Sequence, residues 1–423
     1  MAKPKLALIP ATVGGKVYSI LPSNGVGDFD FTRGTTATRI NAQGLIEEVA
    51  SGVNRLNYSL LDGEVVGCPH LLLEPQRIND LQRSQEFDNA YWTKYQTSVS
   101  TNSFISPDGT LNADKLIEDN SNSTHQLGRA ISYNSGTTYT ISVFAKSSDR
   151  NLEIGAGNTN TFPAKAIFDL SNGTVLSSTL GNPSIENYGN GWYRCIITAT
   201  ALATSTTNIN FGLTNGSTLS YSGNGVSFIE LFGAMREEGL YPTSYIKTTS
   251  AAVTRAAELC YGSGNAATFN DSEGVLMAEI SALADDLTSR SISLSDGTYN
   301  NSLILQLRNL SNTISIKKFT TILSTFTVPS TTNYLKIAIN YSSNNIEIYL
   351  NGFLIDTNNT FTSFPSNTLD SLSFDRSDGG EDFYGNTKQL QYFDSALSDT
   401  ELEQLTSWDS FRAMAEGQLY TIE

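Results

Sequence analysis

The run Asn345-Ile-Glu-Ile-Tyr-Leu350, then Asn351-Gly352, then Phe353-Leu-Ile-Asp356, leaves the chain few ways to fold. Ile346, Ile348 and Leu350 recur every second residue, which places them on one face of a strand. Asn-Gly supplies the two positive-φ positions of a type I′ turn, whose twist suits a tight hairpin. The same alternation returns elsewhere. Tyr139, Ile141, Val143 and Ala145 share a face, as do Ile209, Phe211 and Leu213. Ala166-Ile-Phe-Asp-Leu170 runs into a turn signal at Asn172-Gly173. Gly189-Asn190-Gly191 precedes a strand, Trp192 to Thr198, with large residues on both faces. Gly274–Ile280 and Tyr334–Tyr341 read as further strands. Short strands punctuated in this way predict an all-β protein, with a jelly-roll-type β-sandwich in the stretch that runs through Tyr139 to Leu213.

Composition agrees and excludes some functions. Hydrophobic residues make up 39% of the 423 residues and charged residues only 16%, so the surface is largely neutral and polar. Ser, Thr, Asn and Gly fill that role, as they do in turn-rich β proteins. With 42 acidic against 26 basic residues, the net charge is -16. A phosphate-backbone binder needs clustered Lys and Arg, so no nucleic acid partner is expected. No run approaches the ~20 apolar residues of a membrane span. Met1 to Pro10 has too short an apolar core for a signal peptide and is broken by Pro10. Cys68, Cys195 and Cys260 are widely spaced, which fits three reduced thiols in a chain made in a cytoplasm.

The length predicts two or three domains. Residues 1–83 read as a short, mostly extended segment, with a strand at Lys16–Leu21. Residues 84–255 carry the jelly-roll-type sandwich, and residues 256–423 form a third, strand-rich section. Near the end, Leu390 to Leu405 switches to helical spacing, with Ser398 and Glu401 forming a capping box.

Three sets of residues carry a resemblance. Phe31-Thr-Arg-Gly-Thr-Thr-Ala-Thr-Arg-Ile-Asn41 with Gly44-Leu-Ile-Glu47 is the first. Asn54-Arg-Leu-Asn-Tyr58 with Leu71-Leu-Leu-Glu-Pro-Gln-Arg77 is the second. Ala234-Met-Arg-Glu-Glu-Gly-Leu-Tyr-Pro-Thr-Ser-Tyr-Ile246 with Ala252-Val-Thr-Arg-Ala256 is the third. In this order they resemble bacteriophage virion structural and tail-fibre-like proteins. In those proteins a carbohydrate-binding-module-like sandwich follows a short N-terminal segment. Residues 256–423, with their hairpin and closing Ala396-Leu-Ser-Asp-Thr-Glu-Leu402, resemble the laminin-G/concanavalin-like lectin sandwich. The resemblance implies a virion location and an N-terminal segment that anchors to other virion proteins through Phe31, Arg33, Arg39, Leu45 and Ile46. It also implies a homo-oligomer, commonly a trimer in such families. The plain alternative for the first section is an extension folded back on its own chain.

No residues combine into a catalytic motif. His70 and His125 are the only histidines, and neither lies in a hydrolase or zinc-protease pattern. The expectation is therefore no enzyme but adhesion to host surface polysaccharide. Sugars present flat apolar faces rimmed by hydroxyls, which suits aromatic rings beside amides. Trp92 with Tyr95, and Tyr188 with Trp192, are the aromatic candidates, and His125 lies near Asn120 and Asn122. Against this, Trp192 sits in a strand, where tryptophan is more often core. Asp375, Asp378, Glu381 and Asp382 gather in a glycine-containing loop whose oxygens suit calcium. Arg376 within that loop favours the alternative of a solvated acidic turn.

Overall fold

The computed structural model describes residues 3–8, 11–13, 16–408 and 413. The chain is all-β apart from short helical turns, and its sheets pack face to face. The end of the third section, 409–412 and 414–423, lies outside the described residues. So do Met1, Ala2, Ile9 and Pro10 of the leader-like run.

The sandwich of residues 84–255 has two antiparallel sheets. One runs, edge to edge, Thr97–Ile105, Leu111–Glu118, Phe228–Glu238, Thr138–Ser147, Trp192–Thr200, Asn182–Asn187. The other contains Thr93–Tyr95, Asn122–Tyr133, Ser205–Thr214, Asn151–Ala156, Lys165–Asp169 and Thr174–Leu180. Between them Ile141, Val143, Leu152, Ile154, Ile209, Phe211 and Leu213 are buried, as their alternation requires. The outward face of Thr138–Ser147 is buried too, including Thr140, Ser142 and Phe144. A second layer therefore covers the first sheet.

The N-terminal section contributes Ile46, with Ile40 partly buried, to that layer beside Tyr245 and Ile246. It does not stand apart as an anchor. Leu71–Leu73 pair with Gly385–Thr387, Leu6–Leu8 with Leu390–Tyr392, and Phe31 with Cys260. Leu6, Leu8, Phe29, Phe31, Leu71 and Leu73 share one core with Leu276, Ile292, Leu305 and Ile337 of the third section. Two long strands missed in the sequence, Arg55–Leu61 and Glu64–Leu73, form a hairpin at the edge of that section's larger sheet. Their alternation is weak because most of the first strand is only half-buried.

The anchoring assignment is corrected residue by residue. Phe31 is core, Arg33 is buried in an internal ion network, and Arg39 pairs with Glu47 at 2.8 Å. Leu45 packs under Gly109, where an added Cβ would lie 2.9 Å from Leu45 Cδ1. Ile46 is buried, and its N–H donates to Pro107 O at 2.9 Å. Phe31, Arg33 and Ile46 are thus buried within this chain, whereas Arg39 and Leu45 stay partly exposed.

In the third section the hairpin forms as expected, with Asn351 and Gly352 at φ +50° and +89°. The helical reading of Leu390 to Leu405 holds only at its end. Leu390–Phe393 belong to the strand Gly385–Phe393, and the helix is Asp399–Thr406, opened by the Ser398–Glu401 capping box. The strand prevails because Leu390 and Tyr392 point into the core with period two. Among the described residues no helix is long and apolar enough to cross a membrane.

Candidate functional site

All three resemblance motifs converge on one point. Glu258 accepts from Arg33 NH1 at 2.7 Å, from Arg55 Nε at 2.8 Å and from the Glu74 backbone N–H at 2.9 Å. Arg55 NH2 also donates to Glu258. Glu74 in turn pairs with Arg55 and Arg255, each at 2.8 Å, and accepts from Ser244 Oγ at 2.6 Å. All five charged side chains are buried. Burial opposes ionisation of Glu74, but Arg255 and Arg55 outweigh it and hold its pKa at about 2. This knot ties the N-terminal section to both sandwiches. A dry network whose charges are all engaged is structure rather than a ligand site.

Beside the knot lies an open cleft of about 630 Å³. Its walls come from all three sections: the hairpin Arg55–Leu61/Glu64–Leu73, the loop at Pro242–Tyr245, the sheet edge at Ile185–Arg194, and Leu283 and Asn386. The size falls within the roughly 300–1,000 Å³ of small-molecule pockets. Two glycines close one end. Gly63 at the hairpin tip and Gly189 in the opposite turn approach so closely that a Cβ on either would lie 2.6 Å from the other's backbone. Both have positive φ, +82° and +75°. No other residue suits either position.

The cleft floor is a cross-strand row. Glu186 faces Arg194, and Arg194 faces Phe144, on three neighbouring strands. Arg194 is buried, with Nε and NH2 donating to Ser142 Oγ at 3.3 and 3.1 Å. Its charge lies 5.5 Å from the centre of the Phe144 ring. Tyr188 meets the same ring edge-on at 4.8 Å. Burial, reinforced by the Glu186 charge, pushes the Tyr188 phenol up to about 12, so it stays protonated and can donate. Glu186 is open to the cleft, yet enclosure by the walls raises its carboxyl pKa and Arg194 offsets only part of that.

His70 lies in the wall and is neutral. Asn57 Oδ1 accepts from the Ile40 N–H at 2.7 Å, which orients Asn57 Nδ2 as the donor to His70 Nε2 at 3.1 Å. The remaining proton must then sit on Nδ1, which is buried without a partner. Burial, with Lys388 and Arg55 nearby, lowers the imidazole pKa to about 3.

Of the aromatic candidates only Tyr188 lines this cleft. Trp92 is corrected to core. It is 1% exposed, packed on Phe87, Tyr91 and Phe211, and its indole N–H donates to Arg83 O at 3.0 Å. Trp192 is likewise buried, its indole N–H donating to Ile105 O at 3.1 Å. His125 is buried with its ring nitrogens 3.0 and 3.3 Å from Gln96 O and Tyr221 O. Tyr95 is 49% exposed, but on the sandwich's other sheet. The sequence reading missed Glu186 and Arg194. The signal for Glu186 was the polar alternation of Ser184 and Glu186 along the strand Asn182–Asn187; Arg194, on the next strand, had none.

The calcium assignment is also corrected. Arg376 binds Asp378 at 2.8 Å and Glu381 at 3.1 Å, so a guanidinium stands where a cation was expected. Glu381 also accepts from Ser291 Oγ and Gln306 Nε2, and Asp382 from the Tyr384 hydroxyl. Asp375 accepts from the Ser377 N–H. Among the described residues no three His, Cys, Asp or Glu side chains converge to hold a metal.

Comparison with known proteins bears on the third section. Residues 267–403 match the model of the concanavalin A-like lectin/glucanases superfamily. That section is a lectin-like β-sandwich. No curated protein matches the chain. One similar solved structure is the CBM40 of a Ruminococcus gnavus sialidase bound to α2,3-sialyllactose. It is 16% identical over 35% of this chain and 94% of that one, with a TM-score of 0.28. Another is domains LG4-5 of the mouse laminin α1 chain, 10% identical over 66% and 90%, TM-score 0.23. A third is a Trypanosoma rangeli sialidase mutant displaying trans-sialidase activity, 10% identical over 88% and 78%, TM-score 0.30. Likenesses this distant carry no ligand or activity to the chain.

Proposed function

We propose that this chain is a non-catalytic glycan-binding component of a bacteriophage virion, and that the inter-section cleft holds host surface polysaccharide. One observation carries the reading: an open cavity lined by a phenol, amides and an exposed carboxylate that faces a buried guanidinium, beside an ion network that ties its walls together. The lectin-like match of residues 267–403 is consistent with a saccharide ligand. The virion role rests on the sequence resemblance of residues 28–256.

The test uses the full chain, because the first 83 residues supply part of the third section's core. Purified protein should retain host polysaccharide, and Tyr188→Ala should weaken retention about tenfold, as loss of a stacking and hydrogen-bonding ring does. Polysaccharide length should not change on long incubation. Shortened chains would overturn the non-catalytic reading, and undiminished retention by Tyr188→Ala would remove the cleft.

A second reading, assembly without sugar binding, has its own observation. Phe353, Leu354 and Ile355 are 72%, 51% and 40% exposed on the edge strand of the larger third-section sheet. Unblocked apolar edges pair with other strands. On this reading the contact with further copies or other virion proteins lies at that edge. Leu354→Lys should then dissociate an oligomer in sedimentation, while polysaccharide affinity is nil from the start.

A further inference from the structure

The charges around the cleft divide into those held in direct ion pairs and those that are not. Arg39 is engaged by Glu47, and Glu74 by Arg55 and Arg255. His70 is neutral. What remains facing the cavity is Asp62 at the hairpin tip, Glu186 and Arg194. Two carboxylates thus stand against one guanidinium, within a chain of net charge -16.

Arg194 is also badly presented for gripping an anion. A carboxylate or phosphate is held best by two parallel N–H groups on one edge of the guanidinium. The edge formed by Nε and NH2 is occupied by Ser142 Oγ. Directly across the strand pair, Glu186 receives no hydrogen bond from any described residue, and its carboxylate is open to the cleft. Arg194 offers N–H groups, Glu186 offers lone pairs, and Tyr188 offers a hydroxyl beside both. Adjacent hydroxyls on a ring need such a set, each hydroxyl donating once and accepting once.

We propose that the cleft selects neutral, hydroxyl-rich saccharides over carboxylated or phosphorylated ones, with Glu186 accepting from one hydroxyl and Arg194 donating to its neighbour. This rests on the cleft being the saccharide site. An acidic sugar must bring its charge beside Glu186 and Asp62. At that short range the repulsion opposes binding, and salt weakens it.

The experiment is a panel of immobilised oligosaccharides in which each uronate-bearing member is paired with its carboxyl-reduced form. The full chain is applied at 50 and 500 mM salt. The reduced form should bind at least about tenfold more tightly at low salt. The gap should narrow at high salt, where the screening length falls to a few ångströms. Glu186→Gln keeps an acceptor but loses the charge. It should weaken the neutral ligand several-fold and shrink the discrimination, a change in ratio that a merely structural defect would not cause. Tighter binding of the carboxylated member would overturn the selectivity while leaving a saccharide site in place. Binding of neither member anywhere on the panel would overturn both.

Discussion

Two arginine–carboxylate clusters lie side by side in this molecule, and they are built for different ends. In the knot of Arg33, Arg55, Glu74, Arg255 and Glu258, each carboxylate meets at least two guanidinium groups, and the side chains are sealed from water. In the cleft row, Arg194 leans on a serine hydroxyl, and Glu186 faces open space. Desolvating a charge is costly unless its partners are complete. The knot meets that condition for both of its carboxylates with its own atoms, leaving Arg255 Nε as its one unpartnered nitrogen among the described residues. The row leaves it to be met by whatever enters. Cavities with free, oriented polar groups are where ligands bind, whereas saturated networks hold sections together.

If that contrast is right, breaking the knot should cost the most. Glu258→Ala strands the buried Arg33 guanidinium and leaves Arg55 with Glu74 alone, and should lower unfolding free energy by about 3–5 kcal/mol in chemical denaturation. A loss below about 1 kcal/mol would show that the knot is no keystone. Trp92→Ala should cost a similar amount, about 3–5 kcal/mol, by opening a cavity in the core. Polysaccharide affinity per folded molecule should be unchanged in that variant.

The two regions should also part company with pH. His70 has a folded pKa lowered to about 3, so below pH 6.5 the unfolded chain binds a proton that the folded chain refuses. Stability should therefore fall as pH drops from 6.5, by at most about 1.4 kcal/mol per unit for one proton. Glu74, lowered to about 2, stabilises fully above the usual carboxylate pKa and loses its contribution as pH falls from about 4.5 towards 2. His70→Asn should remove the upper part of this profile and leave the lower part. An unaltered profile between pH 6.5 and 5 would contradict the buried neutral imidazole. The smallest effect should come from calcium. With Arg376 holding the acidic loop, millimolar calcium should leave the melting temperature where it was, since only a bound ligand raises it.

How much of this was legible in the sequence follows from the range of the interactions. Strands such as Thr138–Ser147 and the hairpin at Asn351-Gly352 declare themselves through period-two alternation and turn chemistry, which are local. The pairing of Leu71–Leu73 with Gly385–Thr387 spans some 300 residues and leaves no local trace. The motif residues stood out as a group, but nothing in their spacing says that Arg33 and Glu258, 225 positions apart, are partners. A hint existed in Leu71-Leu-Leu-Glu74, an apolar run ending in a lone acid, since such an acid is buried only if it is paired. Trp92 was misjudged because an aromatic near a turn reads the same whether it faces sugar or core. Tyr188 was found for its ring. Its site was not, because the opposite wall comes from a hairpin more than 110 residues earlier in the chain.

The central claim is that the open row is the binding site, and its most direct test is hydrogen–deuterium exchange of the full chain with and without host polysaccharide. The account predicts new protection in residues 57–63 and 185–194, on the facing walls of the cleft, with the knot already protected in both states. Protection confined to the loop at 375–382 or to the strand bearing Tyr95, with the cleft walls unchanged, would contradict it.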